Sequence, residues 1–315
     1  MALPTNTQST YATNGIREDL TDIIHDISPT DTPFYSMTSK GSATAIKHEW
    51  QTDALAAASA TNAVLEGDEA TTDAHVATVR LNNYCQISDK VARVTGTVDA
   101  VNKAGRGKEM AYQIGKKVKE LKRDIESSML ANNATVAGDA TTARESAGVP
   151  AWLATNTSAG SGGSDPTGDG TDARTDGTQR AFTEALLKTV LQSCWDEGGD
   201  PDCIMVGSKN KQTFSGFTGR ATNGAEEAAA SKRITASVDV YVSDFGELKV
   251  MANRFQRARD ALILQKDMWK MCLLRPVKQT PLAKTGDSER RQVIAEWTLE
   301  SCNEKASGIV ADLTT

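Results

Sequence analysis

Alternation of apolar and polar residues predicts two strands, over 45–50 and 75–87, joined by a long segment with almost nothing to bury. That segment, 52–73, is rich in Ala, Thr, Asn, Ser, Asp and Glu. Its only sizeable apolar side chains are Leu55, Val64 and Leu65. Because a two-stranded hairpin is only marginally stable in water, we expect this one to lie on another surface. That surface is either part of the same chain or, as we favour, a neighbouring subunit.

Two segments follow the helical spacing instead. Residues 105–132 predict a helix about 40 Å long. Its apolar stripe consists of Met110, Ile114, Val118, Leu121, Ile125 and Met129. A shorter amphipathic helix is predicted over 16–28, and it ends there because the ring of Pro29 disfavours helical geometry at the preceding residue. Residues 29–34 then predict a stiff extended turn.

The second half of the chain has the pattern of a compact α/β unit. A helix is predicted over 183–195, followed by a strand over 203–206 that is apolar throughout. A hairpin is predicted over 238–251, turning where Gly246 permits it. Apolar residues at every second position over 293–299 predict a half-buried strand, and 309–313 is a candidate closing strand.

The composition of the chain mainly argues against certain classes of protein. The chain has 315 residues, enough for one large domain or two that share a core, and its net charge of −6 argues against a general affinity for nucleic acid. No apolar run approaches the roughly 20 residues that span a bilayer. The N-terminus lacks the pattern of a signal peptide. We expect no membrane association.

The cysteines and histidines are scattered along the chain. The five cysteines never form a Cys-x-x-Cys pair, so we favour buried free thiols in a reducing compartment over disulfides or a metal site. They are Cys85, Cys194, Cys203, Cys272 and Cys302. The three histidines are interpreted as surface or packing residues. We expect no cofactor.

A basic stretch stands out against the acidic background. Residues 103–123 contain eight Lys and Arg against two Glu, a net charge of +6. The favoured interpretation is a solvated helix face that pairs with acidic neighbours. The alternative is a surface that contacts DNA phosphates. The candidate DNA-facing residues are Lys116, Lys117 and Lys119.

Catalytic motifs are absent from the sequence. There is no Gly-x-Ser-x-Gly elbow and no phosphate-binding Gly-x-x-x-x-Gly-Lys loop, so an enzyme is not expected. The loop over 155–178, flexible by composition, holds one metal-like string. Read as a calcium loop, it offers Asp165, Asp169, Asp172 and Asp176. It ends in Asp where such loops have Glu, and no helical pattern precedes it, so it is a weak candidate.

The order of these parts resembles the major capsid proteins of tailed bacteriophages, which have the Hong Kong 97-type fold. The resemblance covers nearly the whole chain. Its most specific motifs are Pro29–Phe34 (Pro-Thr-Asp-Thr-Pro-Phe), which ends an N-terminal arm, and Ser243–Gly246 (Ser-Asp-Phe-Gly) in the second hairpin. A long hairpin, a long helix and the α/β unit follow the arm in the same order.

The resemblance implies an α+β fold with four parts. These are an N-terminal arm (1–39), an extended loop with its base (40–97), a peripheral domain with the spine helix (98–146 and 287–315) and an axial domain (147–286). It also implies a chain that assembles with itself into the hexamers and pentamers of an icosahedral head shell around double-stranded DNA. The protein would be made in the host cytoplasm.

The implied partners are other copies of the chain, a portal and a separate scaffolding protein, since no long charged helical segment precedes the arm. The candidate interface residues are Ile16, Leu20, Ile23, Phe34, Ile46, Trp50, Leu55, Val64, Leu65, Val79 and Leu81. Some relatives crosslink through a lysine in the extended loop, but here no lysine occurs between Lys47 and Lys90. We therefore expect noncovalent shells. The alternative function is a DNA-binding structural protein that uses the helix over 103–123.

Overall fold

The computed structural model describes residues 28–70, 72, 75, 77–103, 105, 107–217 and 238–315. The predicted helix over 16–28, with Ile16, Leu20 and Ile23, lies outside these residues except for its last position. The α-helices are α1 (Pro33–Met37), α2 (Gly96–Ala100), α3 (Glu109–Leu130), α4 (Glu184–Asp196) and α5 (Ser208–Ser215). Within the described part, no helix has the length and apolarity needed to cross a membrane.

The strands are numbered in chain order. They are β1 (Ser39–Ser42), β2 (Lys47–Thr52), β3 (Val79–Tyr84), β4 (Gln86–Thr95), β5 (Thr157–Ser158), β6 (Cys203–Val206), β7 (Val240–Ser243), β8 (Gly246–Ala252), β9 (Ala261–Leu264), β10 (Trp269–Pro281), β11 (Ser288–Ser301) and β12 (Gly308–Val310). They form a four-stranded sheet, a six-stranded sheet and a separate two-stranded hairpin.

The four-stranded sheet has the order β1–β10–β11–β4, and only the β1–β10 pair is parallel. Helix α3 packs on β4 and β11. The predicted stripe turns inward, and Leu121, Ile125 and Met129 are buried in a core that also contains tryptophans of β10 and β11. The helix begins at Glu109 rather than 105, because Gly105 has a φ of +74°, outside the helical region.

A buried carboxylate connects α3 to the start of the described chain. Glu126 accepts hydrogen bonds from the backbone N–H groups of Phe34 (2.9 Å) and Tyr35 (2.6 Å) and from the side-chain amide of Asn253 (2.6 Å). The two N–H groups belong to the first turn of α1, which lacks partners inside the helix. Burial raises the pKa of Glu126 against the effect of these hydrogen bonds. The extended turn predicted over 29–34 is wrong at its end, because Pro33 begins α1.

The six-stranded sheet has the order β5–β12–β9–β6–β8–β7. Helix α4 packs against β12 with Leu187, Val190 and Cys194 buried, as the sequence predicts. All four residues of β6 are buried because that strand lies inside the sheet. The main core contains side chains of both sheets, so the two share one interior.

Sheet membership differs from the predicted division at residues 286 and 287. Strand β12 lies in the six-stranded sheet beside β9, although 287–315 was assigned to the peripheral domain. Strand β10 pairs with β11, although residues up to 286 were assigned to the axial domain. The chain crosses between sheets twice after residue 264, and a single sequence boundary cannot describe that path.

The loop over 155–178 is more organised than its composition indicates. The buried carboxylate of Asp312, a residue with a φ of +59°, accepts hydrogen bonds from the N–H groups of Gly160 (2.9 Å) and Gly177 (2.8 Å). Arg259 donates to the same carboxylate at 2.8 Å. The buried side chain of Arg174 pairs with Asp165. Charged groups, from within the loop and from Arg259 and Asp312 far along the chain, therefore replace the missing apolar contacts.

The strand predicted over 293–299 corresponds to β11, which is longer than predicted and more than half-buried in its second half. In the second half of β11, both alternating faces are buried, because core packs on one side and other segments cover the other. Glu296 lies between Arg144 (2.6 Å) and Arg275 (2.7 Å). Glu296, the charged residue of the alternation, is thus paired rather than solvated.

Candidate self-assembly interface

The extended hairpin consists of β2 and β3, which pair from Lys47 with Tyr84 to Thr52 with Val79. We call these two strands the hairpin base, and the described residues 53–70 the hairpin tip. The tip contains no helix or strand. Leu55, Val64 and Leu65 are exposed by 99%, 83% and 80%. The chain's own body leaves the apolar side chains of the tip uncovered.

The hairpin base, in contrast, rests on the same chain. The indole Nε1 of Trp50 donates a hydrogen bond to the carbonyl of Ser301 at 2.8 Å, and its ring lies 5.3 Å from that of Trp152. Leu81, opposite Trp50 in the ladder, packs on the same core. At Trp50 and Leu81 the alternative of cover by the same chain is therefore confirmed and the favoured one is wrong, whereas contact of the tip with a neighbouring subunit stays a prediction. Trp50 is the residue from which this packing of the base could have been inferred, because a partly buried indole usually finds a hydrogen-bond partner for its N–H group.

The candidate interface residues separate accordingly. The prediction for Phe34 is wrong, because its side chain is fully buried in the core, 6.3 Å from the ring of Trp269. Trp50 and Leu81 are partly buried against their own chain. Ile46 and Val79 are exposed by 50% and 58%. For these two residues and the three of the tip, the interface role stays a prediction.

The basic helix face is partly paired. Lys116 and Lys119 are exposed, whereas Lys117 forms an ion pair with Glu120 at 2.7 Å. Lys90 on β4 pairs with Asp124 of α3 at 2.6 Å. The favoured interpretation of acidic neighbours thus fits Lys117, and contact with DNA stays a prediction.

The four aspartates of the calcium candidate have separate partners. Asp165 pairs with Arg174, and Asp176 pairs with Arg257 at 2.7 Å. The other two bind threonine groups within their own loop, among them Thr167. In the described part of the chain, these carboxylates form no group with the spacing of ion ligands. The structure does not support this candidate.

A different set of donors meets beside the hairpin base. His48 Nε2 lies 2.9 Å from Glu300 Oε2, and Cys272 Sγ lies 3.2 Å from the same oxygen. The other oxygen, Oε1, is 3.3 Å from Lys270 Nζ and 3.5 Å from Cys302 Sγ. The hydrogen bond from His48 is the main cause that lowers the pKa of Glu300 to about 2. Burial raises the pKa of Cys272 to about 12.

Sequence reasoning missed this group for a physical reason. Its members come from β2, β10 and the end of β11, and no local motif marks them. Lys270, Cys272 and Glu300 share one sheet face because antiparallel pairing sets Lys270 opposite Glu300. Only the register of β10 against β11 brings them together.

Comparison with known proteins identifies the family. The model of the SU10 major capsid protein family matches residues 3–314. The chain belongs to this family. A relative named major capsid protein, from Escherichia phage Phieco32, is 30% identical over 345 aligned positions that cover 98% of this chain and 97% of the relative. This is a family of structural proteins and not an enzyme class.

Solved structures agree on the fold. The Cyanophage A-1(L) capsid asymmetric unit matches with a TM-score of 0.63 at 13% identity, and the match covers 99% of this chain and 100% of the cyanophage chain. The capsid of the native GTA particle matches with a TM-score of 0.62 at 9% identity, over 98% and 100%. The fold is therefore the Hong Kong 97-type capsid fold, in the α+β class. The protein is a major capsid protein that forms the icosahedral head shell of a tailed phage.

Proposed function

We propose that the hairpin tip of each subunit lies on a neighbouring subunit, and that such contacts join subunits into the hexamers and pentamers of the shell. The observation that carries the proposal is the exposure of Leu55, Val64 and Leu65 in a segment without regular structure. Apolar side chains of this size each stabilise an interface by about 1.5–3 kcal/mol when fully buried. Several modest contacts per subunit suit a shell in which wrongly placed subunits must be able to leave.

The test replaces Leu55, Val64 and Leu65 together with serine in the full chain. The matched control changes Ser59 and Thr61, exposed polar residues of the same tip, to alanine. Electron microscopy of the purified proteins is expected to show rings or closed particles for the wild type and the control. The triple variant is expected to stay as small soluble species with an unchanged circular dichroism spectrum. Normal particles from the triple variant would contradict the proposal.

We further propose that the shell is held together without covalent crosslinks. The support is chemical, because no lysine amine occurs between Lys47 and Lys90. The tip therefore cannot form an isopeptide bond from a lysine. A denaturing gel of mature particles is expected to show one band at the monomer mass. A ladder of linked subunits would contradict this prediction.

The remaining roles are proposals drawn from the family resemblance. We assign the four-stranded sheet with α3 to the peripheral part of the subunit and most of the six-stranded sheet to the axial part. We propose that the shell encloses double-stranded DNA and assembles in the host cytoplasm with a portal and a separate scaffolding protein. Coexpression of the chain with and without a candidate scaffolding protein is the test. Uniform closed particles are expected only with it, and uniform particles from the chain alone would contradict the need for one.

A further inference from the structure

The donors beside the hairpin base are a metal-ligand set in both type and position. His48, Cys272 and Glu300 bring one imidazole nitrogen, one sulfur and one carboxylate oxygen within 4.8 Å of one another. His48 and Glu300 are more than 200 residues apart in the sequence. Among the described residues, it is the one group of three or more His, Cys, Asp or Glu side chains whose ligand atoms lie this close together.

The donor types select a class of ion. Calcium and magnesium prefer oxygen ligands, whereas thiolate and imidazole favour zinc and other borderline transition ions. Ligands of a tetrahedral zinc ion lie roughly 3.3–3.8 Å apart. The observed separations of 2.9 Å and 3.2 Å to Glu300 Oε2 are slightly shorter. Binding an ion between them requires these side chains to move apart by a few tenths of an ångström.

Three further residues surround the three donors. Cys302 Sγ lies 3.5 Å from Glu300 Oε1 on the same side of the sheet. Gly41 of β1 pairs with Cys272, and a Cβ atom at position 41 would lie only 2.6 Å from Cys272 Sγ. Glycine at position 41 therefore leaves room for the sulfur to pack against the backbone of β1. Lys270, 3.3 Å from Glu300 Oε1, offsets the negative charge that a Cys272 thiolate brings.

We propose that His48, Cys272 and Glu300 bind a zinc-type divalent ion, and that this ion fastens the hairpin base to the four-stranded sheet. As the sulfur–metal bond forms, the Cys272 thiol releases its proton to solvent, and its hydrogen bond and that of His48 to Glu300 are replaced by bonds to the ion. The site lies within one chain and is independent of the assembly proposed above. The competing explanation is a hydrogen-bonded cluster that binds no metal.

The test titrates Co²⁺ into the full chain after treatment with a chelator and its removal. We expect thiolate-to-cobalt absorption in the near ultraviolet and the visible bands of tetrahedral Co²⁺, saturating at one ion per chain. Loss of outer-shell partners already weakens metal sites by about 10–100-fold. Cys272→Ser and His48→Gln, which remove ligands, are expected to weaken binding by at least about 10-fold. Cys194→Ala and His75→Ala, at positions away from the site, are the matched controls and should bind as the wild type does.

A second measurement links the ion to the hairpin. Zn²⁺ is expected to raise the Tm of the wild type and of both controls, and to slow hydrogen exchange in β2. It should do neither in Cys272→Ser or His48→Gln, whose folding is checked by circular dichroism. If Cys272→Ser does not fold, His48→Gln, on the partly exposed side of the group, decides the question. Absence of thiolate bands in the wild type, or equal binding by wild type and ligand variants, would overturn the proposal.

Discussion

At its base, the hairpin is held by the chain's own core, where Trp50 bonds to Ser301 and packs on Trp152. At its tip, Leu55 is 99% exposed and no strand continues. One stretch of sequence thus contains a part that is complete in the single subunit and a part that is not. If the tip makes the proposed contacts, the fold and the assembly use separate residues, and variants can affect one without the other.

The carboxylates also differ between the body of the subunit and the hairpin tip. The body buries carboxylates that have several hydrogen-bond partners, such as Glu126 and Asp312. In the tip, the described contacts of the Asp53 and Asp68 carboxylates are to the backbone N–H of the residue that follows each of them. Variants of buried groups are therefore expected to change the free energy of unfolding, and variants of the tip to change assembly.

The largest effect on stability is expected from Glu126→Ala. It leaves the N–H groups of Phe34 and Tyr35 and the amide of Asn253 buried without their acceptor, at about 4 kcal/mol in total. Denaturant unfolding of the unassembled subunit measures the loss. The control is Glu120→Ala on the surface of the same helix, which removes only an ion pair with Lys117 and costs about 0.5 kcal/mol. Equal losses would break the comparison between body and surface.

The next effect concerns pH and Asp260, a fully buried residue of the body. Burial raises the pKa of Asp260 to about 6, although Arg257 and Arg174 act to lower it. Because the folded-state pKa exceeds the ordinary 3.8, the stability this group contributes is full below pH 3.8 and is lost as the pH rises through about 6. The contribution is up to about 3 kcal/mol.

Asp260→Asn is therefore expected to remove this pH-dependent part of the unfolding free energy between pH 4 and 7. Chemical denaturation at a series of pH values measures it. Asp68→Asn in the exposed tip is the control and should keep the profile of the wild type. A profile for Asp260→Asn that matches the wild type would show that Asp260 does not titrate in this range.

Trp50→Ala tests the hairpin base directly. It removes a half-buried indole and its hydrogen bond to Ser301, and we expect a loss of about 2 kcal/mol in the unassembled subunit. Leu65→Ser at the tip is expected to change the same quantity by less than about 0.5 kcal/mol. If Leu65→Ser destabilises the subunit as much as Trp50→Ala does, the tip is covered by its own chain in solution.

The smallest effect is expected from neutralising Lys116, Lys117 and Lys119 with glutamine. Surface changes of this kind shift the unfolding free energy by about 0.5 kcal/mol or less. If the helix face contacts packaged DNA, the variant particles should release DNA at a lower salt concentration than the wild type. Glutamine at the exposed lysines Lys209, Lys278 and Lys284 is the control. Unchanged assembly and DNA retention would count against a DNA contact at this helix.

Elements with long, regular patterns were predictable from the sequence. The stripe of α3 and the apolar run of β6 each determine their own burial, so the helix and the strand appear close to the predicted positions. The prediction for Phe34 failed because an aromatic residue in an arm has no periodic neighbours that indicate which surface buries it. The loop over 155–178 was misjudged because its partners, such as Asp312, lie far along the chain.

The candidate site was predictable only in part. The exposed tip follows from composition, since 52–73 offers little to bury. The group at His48 depends on how β10 pairs with β11, and a bulge between Leu273 and Arg275 makes that register hard to infer from alternation. Long-range register is a property of the assembled sheet rather than of any local pattern.

The carboxylate of Glu126 has one more consequence. It joins the beginning of α1, the C-terminal part of α3 and Asn253 after β8, so these segments cannot swing apart without exposing an ionisable group and its three donors. Rings of five and of six copies require different tilts between neighbours. We therefore expect the bending that accommodates both to occur away from this junction, and the hairpin tip beyond the Thr52–Val79 pair is one such place.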